Sequence, residues 1–147
     1  MKSLKTEIII ETPADKIWSI LVDFESYSEW NPFIKSFEGK IAKGEKFKVT
    51  LQLPNSKPMT FHPKCLVLEK NKEFRWLGHL LINGLFDGEH IFELEDLGNG
   101  QTKFIQRENF RGVLVPLLWK KINSSTRSGF IEMNKQLKIR AEQTKVQ

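Results

Sequence analysis

From residue 114 to about residue 144 the chain has no proline after Pro116, and apolar side chains recur on one side at Leu118, Ile122, Phe130, Met133 and Leu137. That spacing predicts one long helix with a single apolar stripe and a back rich in Lys, Arg and Gln. The rest of the chain is expected to fold around it. The stripe is bulky at its ends and small in the middle, where Ser125, Thr126 and Gly129 take the inward positions. A helix shaped in this way can leave space beneath it, and that space suits a small apolar molecule.

What precedes the helix is mostly strand. Residues 4–11 alternate, with Thr6, Ile8, Ile10 and Thr12 facing inward. Thr12-Pro13-Ala14-Asp15 opens a short helix, with Thr12 as the expected cap and Ile17, Trp18, Leu21 and Val22 as its apolar face, ending near residue 23 or 24. In ESYSEWNPF, residues 25–33, a single turn capped by Ser28 is stopped by Asn31-Pro32. Its aromatics, Tyr27, Trp30 and Phe33, either plug one end of the core or cover a pocket mouth. Strands are then expected at 34–40, 45–53, 61–70, 73–82, 86–97 and 101–111, separated by turn residues such as Lys43-Gly44, Asn71-Lys72, Asn83-Gly84 and Gly98-Asn99-Gly100. Tight turns imply antiparallel neighbours, and strands followed by a helix imply an α+β arrangement with the helix on one sheet face.

At 147 residues the chain is expected to form one domain, spanning 1–147, with a substantial core. Eleven phenylalanines and four tryptophans are generous for this length; they can fill a core or line an apolar pocket. The net charge is +5, but the positive residues are scattered, without a basic arm or stripe. Nucleic acid is therefore not an expected partner, and contact with an anionic membrane is expected to be transient at most. Cys65 is the only cysteine and sits in the apolar run Cys65-Leu66-Val67-Leu68, so a buried free thiol is expected. The apolar run Ile8 to Ile10 is too short for a signal-peptide core or a membrane span, and the expected setting is reducing and cytoplasmic.

The stretch PADKIWSILVDFESYSEWNPFI resembles the opening of the SRPBCC (START-like, helix-grip) superfamily, especially its polyketide cyclase/dehydrase and lipid transport branch. EFRWLGHL resembles that family's tryptophan-bearing strand, GLFDGEHIFELED the next strand, and GNGQTKFIQRENFRGVL the last hairpin and entry to the final helix. The resemblance implies a helix-grip fold: a seven-stranded curved antiparallel sheet wrapped around a long C-terminal helix, with two short helices between strands 1 and 2. It also implies a deep apolar cavity between sheet and helix. The fold hosts lipid carriers, cyclases and ATPase activators alike, so it does not choose among functions.

Strand parity nominates the residues that face such a cavity. Trp76 shares a face with Phe74, Gly78 and Leu80; His90 with Phe92 and Leu94; Phe104 with Gln106, Glu108 and Phe110. The expected ligand-binding set is Trp76, Gly78, His90, Phe92, Phe104, Gln106, Glu108, Ile122, Thr126, Phe130 and Met133. His90 and Glu108 are the candidates for acid–base chemistry, because an imidazole beside a carboxylate can move a proton next to a carbonyl. No metal is expected: His62 and His79 fall on the outward face, and no HxH, HExxH or paired-cysteine spacing occurs. No cofactor motif is present either. The leading expectation is a carrier or sensor that binds one small hydrophobic or amphipathic molecule (a lipid, polyketide or quinone), as a monomer or weak homodimer. The alternatives are a cyclase/dehydrase enzyme using His90 and Glu108, and a protein-binding regulator of the ATPase-activator type.

Overall fold

The computed structural model describes residues 1–80 and 82–144. Strand β1 (Lys2–Ile10) leads into α1 (Ala14–Leu21), a 3-10 turn (Phe24–Ser26) and the one-turn helix α2 (Tyr27–Trp30). Seven strands follow: β2 (Ile34–Glu38), β3 (Lys48–Leu51), β4 (Met59–Phe61), β5 (Lys64–Glu69), β6 (Glu73–His79), β7 (Asp87–Gly98) and β8 (Gln101–Arg111). The chain closes with α3 (Val115–Thr144), which lies chiefly over β1 and β8. Among the described residues no helix is long and apolar enough to cross a membrane.

The strands form a five-stranded sheet, β1-β8-β7-β6-β5, and a three-stranded sheet, β2-β3-β4, all antiparallel. Eight strands thus stand where seven were expected, because the 61–70 strand is broken at His62-Pro63, and proline brings no N–H to a ladder. The two sheets still act as one curved wall. Phe47 N donates to the Pro63 carbonyl (3.0 Å), Cys65 N to the Glu45 carbonyl (2.9 Å) and Gly44 N to the Cys65 carbonyl (2.8 Å). The three-stranded sheet is thereby stitched to β5 at the edge of the five-stranded one.

Tyr27, Trp30 and Phe33 of residues 25–33 are all buried. Tyr27 Oη donates to the Leu21 carbonyl at 2.6 Å, and its ring meets Phe37 edge-on. Phe37 continues to Trp76 and Phe47, and Phe74 to Trp76 and Phe92, so much of the phenylalanine content packs one half of the grip solid. Two expected caps are not made. Pro13, not Thr12, is the N-cap of α1, and the Thr12 hydroxyl is buried without a partner while its carbonyl accepts from Thr102 Oγ1 (2.8 Å). Ser28 lies inside α2 rather than at its cap. Asn31 does stop the turn, its Oδ1 accepting from the backbone N–H of Phe33 (2.9 Å) and Ile34 (2.8 Å). That Asx turn aims Phe33 at α3.

The small centre of the α3 stripe is accordingly not empty. The Phe33 ring packs on Gly129, where a Cβ would come within 3.0 Å of Phe33 Cδ1. Space is left further towards the start of the helix, beside Leu118, Ile122 and Thr126.

Candidate functional site

Antiparallel register lines up inward side chains in rows across β6, β7 and β8. One row is Trp76, His90 and Glu108; the next runs from Gly78 to Gly88 to Phe110. Two directly paired glycines remove two adjacent side chains from the inner face, and a hollow remains where they would stand. The hollow is an inner chamber of about 70 Å³, floored by Trp76, Gly78, Gly88, His90 and Glu108 and roofed by Val49, Leu51, Phe61 and Phe86. It adjoins an outer chamber of about 220 Å³ between the sheet and α3, bounded by Phe33, Leu51, Phe61, Phe86, Phe110, Leu118 and Ile122. Glu108 lines both. Met59, on the wall of the outer chamber, is 43% exposed and marks its opening.

The polar side chains among the outer wall's described residues are Glu108 and Thr126. A cavity of roughly 150 Å³ lined by aliphatic and aromatic groups holds benzene, so the outer chamber matches a molecule of about ten heavy atoms. The inner chamber has room for a polar head or for one or a few waters.

His90 is fixed from every side. Its ring stacks on Trp76 (centroids 4.4 Å apart, planes within 7°) and meets Phe130 at 4.9 Å. Its Nδ1 lies 3.3 Å from Glu108 Oε1, at the cavity floor. Its Nε2 lies 2.9 Å from Gln106 Oε1, away from the cavity. From there a buried chain of hydrogen bonds runs to β1. Gln106 Nε2 donates to Asn134 Oδ1 (2.8 Å), Asn134 Nδ2 to Thr6 Oγ1 (2.9 Å), and Thr6 Oγ1 to the Gln106 carbonyl (3.1 Å). Glu108 has its own accommodation: a Cβ on Gly88 would overlap Glu108 Oε2, so only glycine there lets the carboxylate lie flat over β7.

Of the expected lining residues, Trp76, Gly78, His90 and Glu108 meet at the inner chamber, and Glu108, Ile122 and Thr126 at the outer one. Phe92, Phe104, Gln106, Phe130 and Met133 do not line either chamber. They are fully buried in the core beneath it, and Gln106 spends its amide on His90 and Asn134. The sequence reading missed Phe33, Phe61, Phe86 and Gly88. Gly88 carried a visible signal, a glycine two residues before His90 in β7 and so on its face. Phe33 carried none, since its place depends on how α2 meets α3. The Cys65 thiol is buried, which raises its pKa, and it lies outside both chambers. His62 and His79 are exposed; His79 Nδ1 contacts Asp87 Oδ1 at 2.7 Å, and His79 also borders the inner chamber. Among the described residues no group of three or more His, Cys, Asp or Glu side chains is placed to hold a metal ion.

Comparison with solved structures returns the same architecture. A START superfamily protein from Mycobacterium smegmatis superposes with a TM-score of 0.77 at 19% identity, covering 97% of this chain and 98% of that one. The Zhui aromatase/cyclase from Streptomyces sp. R1128 gives 0.78 at 12% identity, covering 96% and 93%. A protein from Chromobacterium violaceum gives 0.73 at 17% identity, covering 95% and 96%. At these identities the likeness establishes the fold, the curved antiparallel sheet gripping a long C-terminal helix, and not the activity. A search of curated protein sequences returns no match. The family model described as polyketide cyclase / dehydrase and lipid transport matches residues 1–141. The chain belongs to that family.

Proposed function

We propose that the protein binds one small apolar or amphipathic molecule between its sheet and α3, as a carrier or sensor. The observation that carries this reading is the outer chamber of about 220 Å³, apolar except for Glu108 and Thr126. Burial of an apolar molecule with a few placed polar contacts is the usual design of such sites. The chamber's size favours a substituted single ring or a short chain over a whole lipid in the closed state. The lone buried thiol suits a reducing, cytoplasmic setting. The test is uptake of an environment-sensitive apolar dye by the wild-type protein and by Ile122→Trp, which fills the outer chamber. Saturable uptake by the wild type, lost in I122W with the fold retained by circular dichroism, supports the reading. Equal uptake by both proteins removes the chamber as the site.

A second reading, acid–base catalysis of the cyclase or dehydratase kind, is favoured by one observation: His90 Nδ1 and Glu108 Oε1 lie 3.3 Å apart at the cavity floor. A catalyst shows turnover that H90A and E108A each abolish. A carrier keeps no turnover to lose.

A further inference from the structure

We infer that the ligand, on the binding reading above, meets Glu108 with a hydrogen-bond donor, and that its head is a neutral phenolic or alcoholic hydroxyl rather than a carboxylate or phosphate. The directions of the buried hydrogen bonds are fixed from a backbone carbonyl outward. The Gln106 carbonyl can only accept, so the single hydroxyl proton of Thr6 is donated to it (3.1 Å). Thr6 Oγ1 therefore accepts from Asn134, which must turn its Nδ2 towards Thr6 and its Oδ1 towards Gln106. Gln106 must then present Nε2 to Asn134 and Oε1 to His90. An amide oxygen cannot donate, so His90 Nε2 carries a proton. Each direction follows from the one before it.

What remains to His90 is Nδ1, facing Glu108 Oε1 at 3.3 Å. That approach engages Oε1 and leaves Glu108 Oε2 as the acceptor free to meet a ligand. Oε2 is the oxygen that lies over Gly88, in the inner chamber.

A hydroxyl donor completes Oε2. A carboxylate or phosphate would set lone pairs against it, and no Lys or Arg is among the described residues lining either chamber. An ammonium would have to shed its hydration shell to enter chambers that are otherwise mostly apolar, which burial penalises. With a body of about ten heavy atoms, the class is that of small alkylphenols and comparable alcohols.

The experiment compares three probes of one shape by isothermal titration calorimetry: propylbenzene, 4-propylphenol and 4-propylbenzoate. The expected order is phenol tightest, by at least about tenfold over propylbenzene, with benzoate weakest. E108L brings the phenol down to the level of propylbenzene. E108Q retains the order, because its amide donates to bare His90 Nδ1 and leaves Oε1 as the acceptor. G88A, which occupies the place of Oε2 without changing Glu108, reproduces the loss in a second protein. Equal affinity for phenol and propylbenzene, or tighter binding of benzoate, overturns the inference while leaving the cavity reading intact. Failure of all three probes overturns the cavity reading, and this inference with it.

Discussion

Replacing Gln106 with leucine removes the middle of the buried polar chain while keeping a side chain of similar size. Gln106 is fully buried, and its amide serves His90 Nε2 at 2.9 Å and Asn134 Oδ1 at 2.8 Å. Leucine leaves a buried donor on His90 and a buried acceptor on Asn134 with nothing to meet. Each orphaned group costs about 1–3 kcal/mol, against about 0.5–1.5 kcal/mol for an ordinary hydrogen bond lost with solvent access. Two such groups, partly offset by the better burial of leucine, put the expected loss at about 3–4 kcal/mol. Urea denaturation measures it: the midpoint falls with the slope unchanged. Thr6→Val, at the end of the hydrogen-bonded chain, orphans one donor on Asn134 and removes one bond to the Gln106 carbonyl, and should cost about 1–3 kcal/mol. A second readout concerns the ring itself. Long-range proton–nitrogen correlation on histidine-labelled wild type should show Nε2 of His90 protonated; in Q106L nothing holds the proton there. A Q106L loss below about 1 kcal/mol, or a wild-type His90 with bare Nε2, would refute the reasoning.

Phe33→Ala removes a buried ring that fills the gap at Gly129, and should cost about 3–4 kcal/mol while enlarging the outer chamber, seen as tighter binding of a naphthalene-sized probe than of a benzene-sized one. Gly112 has φ +132°, and a Cβ there would overlap the Leu85 carbonyl. Gly112→Ala should therefore destabilise by about 2–3 kcal/mol and disturb the turn between β8 and α3, readable by urea titration and by hydrogen exchange at Val113 and Leu114. Burial raises the Tyr27 hydroxyl well above a phenol's ordinary value, with a further push from Asp23. The folded protein thus keeps this proton after the unfolded chain has lost it, so its contribution is complete below about pH 10 and declines above it. Tyr27→Phe should cost about 1–2 kcal/mol at neutral pH and flatten the alkaline decline; an unchanged decline would mean that the phenol does not contribute to it.

The rows of the sheet were legible in the sequence because turns such as Gly98-Asn99-Gly100 leave little freedom in register, and parity then assigns every face. Trp76, His90 and Glu108 could be placed together on that basis alone. The break at His62-Pro63 was also written in the chain, although the run of apolar residues after it masked the signal. Contacts set by docking were not legible. Phe33 enters the small centre of α3 only because α2 delivers it there, and no local pattern encodes the angle between two helices. The polar chain was half visible: Asn134 is a polar residue on the buried face of an amphipathic helix, between Met133 and Leu137. Its partners, Thr6 of β1 and Gln106 of β8, lie 128 and 28 residues away and become neighbours only when sheet and helix close. The aromatic content was ambiguous for a physical reason, since a ring in a wall and a ring in a core have the same strand parity. Here Phe92, Phe104 and Phe130 went to the core, and Phe61 and Phe86 to the wall.

Whether the chamber between the sheet and α3 holds a small molecule can be read by native mass spectrometry of gently purified protein, with extraction of anything bound. The expected spectrum shows a one-to-one adduct of about ten heavy atoms bearing a hydroxyl group, displaced by 4-propylphenol and absent from the chamber-filling I122W variant. A protein that runs bare and takes up none of the probes has no such site.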